Sequence, residues 1–406
     1  MALYDGTNGP TIKVYIDNGQ LGSGYFVLGY SVLGSTPGDV LHTYTPFASL
    51  IQLPSTDVRG IAIRRGRTRE DQTFQPGTAT ITLDNRSGYY DPQMLYATYS
   101  SGSNSMIAAG TGIRVTATWS GTEYNVYSGF IEQVDIDQSL EPVVVITCVD
   151  GLKQLGNINT SGWIGTYNST IVPYLLRQAG WRSSSTVGAG TTAYYYYAPV
   201  LNNPTPVSNL LDELAQNQGG RFFVDRSGNV VFDGYDEIVP ATTSLYLSDQ
   251  RTSGTIEYDA ITVTPGSKYL LNSIIFTMYD NSLTQTNVNA PSAIKYGSVS
   301  KNQTVYWAKS GGVFASGPKT IMQYLADKFA NPTYRVDSVE FDVMNLDGFG
   351  GSVWPSFLAL EIGKRVSVAR TPVYTTATTY DCLVQSIDHD ITPDRWRTSL
   401  QLSPAS

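Results

Sequence analysis

The chain has 406 residues, 15% of them charged, and a formal net charge of −8. Soluble proteins usually carry roughly 25% charged residues, so much of the polar surface here is neutral. The acidic balance excludes a general basic footprint for nucleic acid, and no run approaches the roughly 18 apolar residues of a membrane-spanning helix.

Residues 1–55 read as loops and short strands, with Gly22, Gly24, Gly29 and Gly34 between apolar fragments. Gly60 to Ile63 and Thr78 to Leu83 alternate as strands. They are joined through the arginine-rich Arg64 to Arg69 and the turn Gln75-Pro76-Gly77. Asp84 to Gly88 closes the second strand in a turn, and Val115 to Trp119, Tyr124 to Val134 and Val143 to Val149 complete an antiparallel unit.

The texture then changes. Apolar spacing predicts helices over Ser169 to Gly180 and Ser208 to Gly219, followed by a hairpin from Arg221 to Phe232 across the turn Arg226-Ser227-Gly228-Asn229. β-structure resumes after about residue 256, with one helix at Lys319 to Ala330, where Ile321, Leu325 and Phe329 recur and Pro332 ends the element. The expected organisation is mainly β with a small α+β insertion: residues 1–155, an inserted module at 156–255, and residues 256–406.

The end of the chain repeats its middle. Gly112-Ile113-Arg114-Val115 returns as Gly363-Lys364-Arg365-Val366. Phe130 to Asp137 leads on to Val149 as Leu383 to Asp390 leads on to Leu402, with equal spacing. A β-domain duplicated within one chain can occupy equivalent places in a ring.

Chemistry-bearing patterns are sparse. The histidines are His42 and His389, and in Asp388-His389-Asp390 a strand would turn both carboxylates away from the imidazole, so His389 is expected at a surface position. Gly312 to Thr320 nearly spells a phosphate-binding loop, but Pro318 separates the glycine from Lys319 and removes an N–H. Asp84 to Gly88 with Asp91 lacks the acid spacing of a calcium loop. Cys148 and Cys382 sit inside apolar strands and read as buried thiols. No enzyme activity, cofactor or metal is therefore expected. Arg64, Arg65, Arg67 and Arg69, beside Glu70 and Asp71, are expected to make ion pairs at an interface with protein. The Tyr194 to Tyr197 run would suit stacking on sugars or bases, or an interface. The start, Met1 to Gly6, has no positive segment before an apolar stretch, so a cleaved signal is not expected.

Three blocks carry a family resemblance: Arg64 to Arg86 with Asp91-Pro92, Gly220 to Gly228, and Ile387 to Pro393 with Leu400 to Pro404. In this order they resemble the minor tail proteins of tailed bacteriophages. The resemblance implies a hub at the baseplate or tail tip, with two tail-tube-like β-barrel domains per chain and a homotrimer forming a ring of pseudo-sixfold symmetry. Such a ring would continue the tail tube, adapt sixfold to threefold symmetry and surround the DNA-ejection channel. Its neighbours would be a tail tube or distal tail protein on one side and a spike or tip protein on the other. Phage DNA would pass without specific binding, and the chain would reside in the virion after synthesis in the host cytoplasm, with no membrane insertion. Asp135, Asp137, Asp388 and Asp390 recur in both copies and are candidate bore-lining acids, the alternative being that they pair with arginines of a neighbouring barrel. The alternative reading is a receptor- or glycan-binding tail-tip protein.

Overall fold

The computed structural model describes residues 9–17, 50–70, 72–90, 100–101, 104–105, 107, 109–137, 139–162, 167–181, 185–187, 204–234, 240, 242–250, 252–264, 266–278, 280–305, 309–310, 313–314, 316–332, 334–343, 353–373 and 375–405. His42, Asp91 and Tyr194 to Tyr197 lie outside these. Strands account for 50% of the described residues and helices for 18%, so the fold is mainly β.

The first repeat consists of β1 (Thr11–Asp17), β2 (Val58–Gly66), β3 (Gln75–Asp84), β4 (Gly112–Trp119), β5 (Thr122–Asp137) and β6 (Val143–Val149). These segments form strands because β-branched residues alternate between a packed and a half-exposed side. In β6, Val144, Ile146 and Cys148 are fully buried while Val143, Val145 and Thr147 are not. Next come the helices α1 (Gly151–Gly156), α2 (Asn168–Gln178) and α3 (Val207–Asn217) and the hairpin β7 (Arg221–Val224) and β8 (Val230–Asp233). Leu175, Leu210 and Leu214 are buried in this part, as the predicted helical faces require, and so are Phe222 and Phe232 of the hairpin.

The second repeat contains β9 (Thr243–Ser248) and β10 (Ala260–Thr264). A separate three-stranded sheet follows, formed by β11 (Ser273–Met278), β12 (Thr284–Val288) and β13 (Ser300–Val305), with α4 (Ala290–Tyr296) and α5 (Ser316–Lys328). β14 (Arg335–Asp342), α6 (Val353–Leu358), β15 (Arg365–Arg370), β16 (Thr378–Thr392) and β17 (Arg395–Pro404) complete the chain.

Strand order shows the duplication directly. The first repeat runs β1-β4-β5-β6-β3-β2 and the second runs β9-β15-β16-β17-β14-β10. One difference is that β1 joins its neighbour antiparallel and β9 joins its neighbour parallel. A β-bulge is copied as well: the register skips Glu132 between β5 and β6, and Gln385 between β16 and β17.

This register keeps the match of Phe130 to Leu383 but corrects that of Gly112 to Gly363 by two residues and that of Val149 to Leu402 by one. Gly112 stands opposite Phe130, and the residue opposite Leu383 is Arg365, not Gly363. The true counterpart of Gly363 is Gly110; both take positive φ, +79° and +88°, and both are bonded to the equivalent residues Val384 and Ile131. Similarly, Val149 pairs with Phe130 as Ser403, not Leu402, pairs with Leu383.

The two repeats are fused into one 14-stranded sheet. Ile61 to Gly66 of β2 pair antiparallel with Ile391 to Ser386 of β16. The described strands follow an open path, and no closed barrel is found among them. Beneath this seam the buried Ile61, Ile81, Ile146, Ile391 and Trp396 run from one core into the other.

Gly66 makes the join feasible. Its φ is +116°, and a Cβ there would lie 2.2 Å from the Gln385 carbonyl oxygen and 2.6 Å from the Ser386 Cα. Gly66→Val therefore combines backbone strain with a clash against main chain. It is expected to cost about 3 kcal/mol, measurable as a lower denaturant midpoint with an unchanged m-value.

Candidate functional site: the shared sheet face and its seam

Because side chains alternate along a strand, the fused sheet has one face toward the cores and one away from them. The outward face carries Asp135 and Asp137 on β5, Arg64 on β2, Asp388 and Asp390 on β16, and Arg397 on β17. All four recurrent aspartates thus share one face of one sheet. A shallow depression of about 500 Å³ lies over the seam, lined by Ala62, Arg64, Thr80, Glu340, Asp388 and Asp390 among others.

Charge on this face is largely paired. Arg59 donates to Asp84 at 2.9 Å and to Glu141 at 3.1 Å. Hydrogen bonds from Arg86 and Arg59 hold the Asp84 carboxyl below the usual carboxylate range. Arg395 reaches Asp342 at 3.1 Å, and Arg397 donates to Glu340. Arg64 of the first repeat stands 3.9 Å from Asp388 of the second. Burial pushes the Asp388 carboxyl up, against an opposing hydrogen bond from Ser386. Asp135 accepts from Gln133 at 2.7 Å and Asp137 from the Ser139 N–H at 3.0 Å. Among the described residues, Asp135, Asp137 and Asp390 have no cationic partner.

The arginine run does not act as one patch. Only Arg64 is well exposed. Arg65 points inward, 3% exposed, and donates to Glu361 at 2.9 Å. The other Glu361 oxygen accepts from the Arg226 N–H at 2.9 Å, so one carboxylate ties the first repeat and the hairpin loop to the second repeat. Arg67 is also buried. Its Nε donates to Gln385 at 2.8 Å, and its guanidinium lies 4.4 Å from the Phe74 ring centre. Arg69 stacks over Tyr269 at 5.1 Å. Arg65 and Arg67 thus serve inside the chain, locking repeat to repeat, where the sequence suggested contact with another subunit. For Arg65 the physical reason is strand parity, which puts it on the core face of β2, where burial demands a partner.

Sequence reasoning missed Glu361 because its partners are 135 and 296 positions away. It also missed Asp150, which follows β6 and caps α1. Asp150 accepts from Leu152 N–H at 3.0 Å and from Gly77 N–H at 2.7 Å, and burial raises its carboxyl to about 7. An aspartate directly after an apolar strand and before a helix is a readable cap signal.

His389 corrects a second expectation. The flanking aspartates do point to the other face, but that face is the solvent one. The imidazole packs edge-on to Phe357 and Trp396, with ring centres at 5.8 and 5.7 Å. Its Nδ1 lies 3.0 Å from the Thr398 hydroxyl and accepts from Trp396 Nε1 at 3.3 Å. Among the described residues no group of three His, Cys, Asp or Glu side chains is arranged to hold a metal, and no helix is long and apolar enough to cross a membrane.

No family model matches the sequence, and no curated protein matches it. Among solved structures, the chain is similar to a tail protein from Neisseria meningitidis MC58, with a TM-score of 0.57 at 11% identity, over 98% of this chain and 96% of that one. It is also similar to the 43 kDa tail protein of prophage MuSo2 from Shewanella oneidensis, with a TM-score of 0.53 at 12% identity, over 88% and 95% of the two chains. This chain therefore has the fold of these two tail proteins.

Burial, with smaller contributions from Arg65 and Arg226, pushes the His389 imidazole down to about 3. The folded protein thus binds fewer protons there than the unfolded chain between the ordinary value of 6.5 and about 3. Stability from this residue is complete above pH 6.5 and is lost as pH falls, by about 1 kcal/mol per pH unit. Denaturation of the native protein and of His389→Asn across pH 4 to 7 should give curves whose difference has this slope. Parallel curves would remove the assignment.

Proposed function

We propose that this chain is a structural protein of a bacteriophage tail, a hub whose three copies form a ring continuing the tail tube. Each chain supplies two repeats, each shaped as a tube-like β-barrel domain once its neighbours are in place. The residues between these repeats, from 156 to the start of β9, form a small module. Three chains then give six equivalent units inside and three outside, which adapts a sixfold tube to a threefold tip.

The observation that carries this reading is the fusion of both repeats into one sheet with one continuous outward face. Two equivalent units side by side, joined strand to strand, are two steps of a ring. The likeness in fold to phage-type tail proteins supports the tail assignment.

The outward face would line the bore. Asp135, Asp137 and Asp390 repel DNA phosphates, and like charge in a confined channel disfavours sticking, so the genome slides without specific binding. A tail tube or distal tail protein would sit on one side of the ring and a spike or tip protein on the other.

Light scattering should give a mass three times that of the 44.2 kDa chain, with six density lobes around an open centre in stained particles. A compact dimer without a hole would overturn the ring and turn attention to glycan binding, tested on a glycan array. Assembled particles carrying Asp135→Lys with Asp137→Lys should release DNA about tenfold more slowly at low salt, with the defect relieved by salt. Unchanged release would remove the bore assignment.

A further inference from the structure

The seam inside the chain has a copy on the outside of the chain, and that copy is open. In the second repeat, β16 pairs with β15 up to Leu383, and Gly363 and Lys364 continue the edge to Val384. Beyond the Gln385 bulge, the same edge of β16 is taken by β2. In the first repeat, β5 pairs with β4 up to Phe130, and Gly110 and Thr111 continue to Ile131. Beyond the Glu132 bulge, no described strand takes the edge from Gln133 to Asp137.

The counterpart of β2 is open as well. β10 pairs with β14 alone among the described strands, whereas β2 has β3 on one side and β16 on the other. Register places Gly60, Ile61 and Ala62 opposite β3 as it places Ala260, Ile261 and Thr262 opposite β14. Continuing this equivalence, Gly66 corresponds to Gly266. The two glycines take nearly the same φ, +116° and +121°. A Cβ on Gly66 would strike the Gln385 and Ser386 main chain, while one on Gly266 would meet nothing within 4 Å. Gly266 keeps the geometry of a close approach with no described strand beside it.

Burial tells the same story. Gln385, Ser386, Ile387, Ile61 and Ile63 are all buried at the internal seam. Their counterparts Glu132 and Gln133 are exposed, and Val134, Ile261 and Val263 are only partly buried.

We propose that β10 of one chain pairs antiparallel with the Gln133–Asp137 edge of β5 in the next copy of this chain. The joint has the register of the internal seam: Asp135 opposite Thr264, Ile136 opposite Val263, and Asp137 opposite Thr262. The two edges are different surfaces at opposite ends of the sheet, so the contact is head-to-tail and closes as a ring when each step repeats the internal one. Unpaired strand edges favour such pairing because each carries a row of unmet N–H and C=O groups. The proposal rests on the ring reading and specifies which strands hold it together.

The test is a double-cysteine variant of the full chain, Ile136→Cys with Val263→Cys. Residues directly opposite in an antiparallel pair have Cα atoms about 4.5–5.5 Å apart, within disulfide range. Oxidation should convert the variant to a covalent trimer on a non-reducing denaturing gel. Each single variant should give no covalent trimer, since Cys148 and Cys382 are buried. Asp137→Cys with Thr262→Cys provides a second pair should the first fail to fold. A protein that is trimeric by light scattering but whose soluble double variants do not cross-link would overturn this seam and leave the ring standing. A protein that is monomeric throughout would overturn both.

Discussion

The fold depends on one strand changing partners partway along its length. β16 is long enough to serve β15 with its first half and β2 with its second, and the bulge at Gln385 marks the change. A bulge leaves one residue outside the ladder and bends the strand, which lets a single edge serve two neighbours in turn. Gln385 is then used twice: its side chain accepts from Arg67 and donates to Ser403, and its carbonyl accepts from the Arg67 N–H. Gly66 is the matching concession from the other side, a residue with no side chain where two main chains nearly touch.

Around this join, charge is sorted by strand parity. Outward positions carry ion pairs in contact with solvent, each worth little by itself. Inward positions place Arg65, Arg226 and Glu361 where water is scarce, and burial lowers the proton affinity of the Arg226 guanidinium. Breaking such a cluster by removing one member is costly because the others remain buried and charged. The inner arginines therefore define which repeat sits against which, and the outer ones shape the surface.

Much of the fold was legible in the chain. The helices at Asn168–Gln178 and Val207–Asn217 were visible as apolar faces, and the hairpin at Arg221–Asp233 was visible from its Arg226 to Asn229 turn. The repeat was visible too, but displaced by two residues at Gly363, because Gly-x-Arg-Val is a local string and register is a property of pairs. Only the partners of Gly110 and Gly363 reveal that these glycines correspond. Parity correctly separated His389 from Asp388 and Asp390, yet alternation alone does not say which side is core; α6, bringing Phe357, decides it. The three-stranded sheet between β10 and β14 was hidden because Thr284–Val288 and Ser300–Val305 are polar strands with little apolar alternation.

Carrying both repeats on one polypeptide also divides the work of association. The β2–β16 joint is intramolecular, so it forms whenever the chain folds and is insensitive to dilution, its cost being loop closure rather than loss of free translation. Any joint between chains must be made by encounter and obeys mass action. A ring built this way has half its contacts set at folding, and only the remaining half respond to how much of the protein is present.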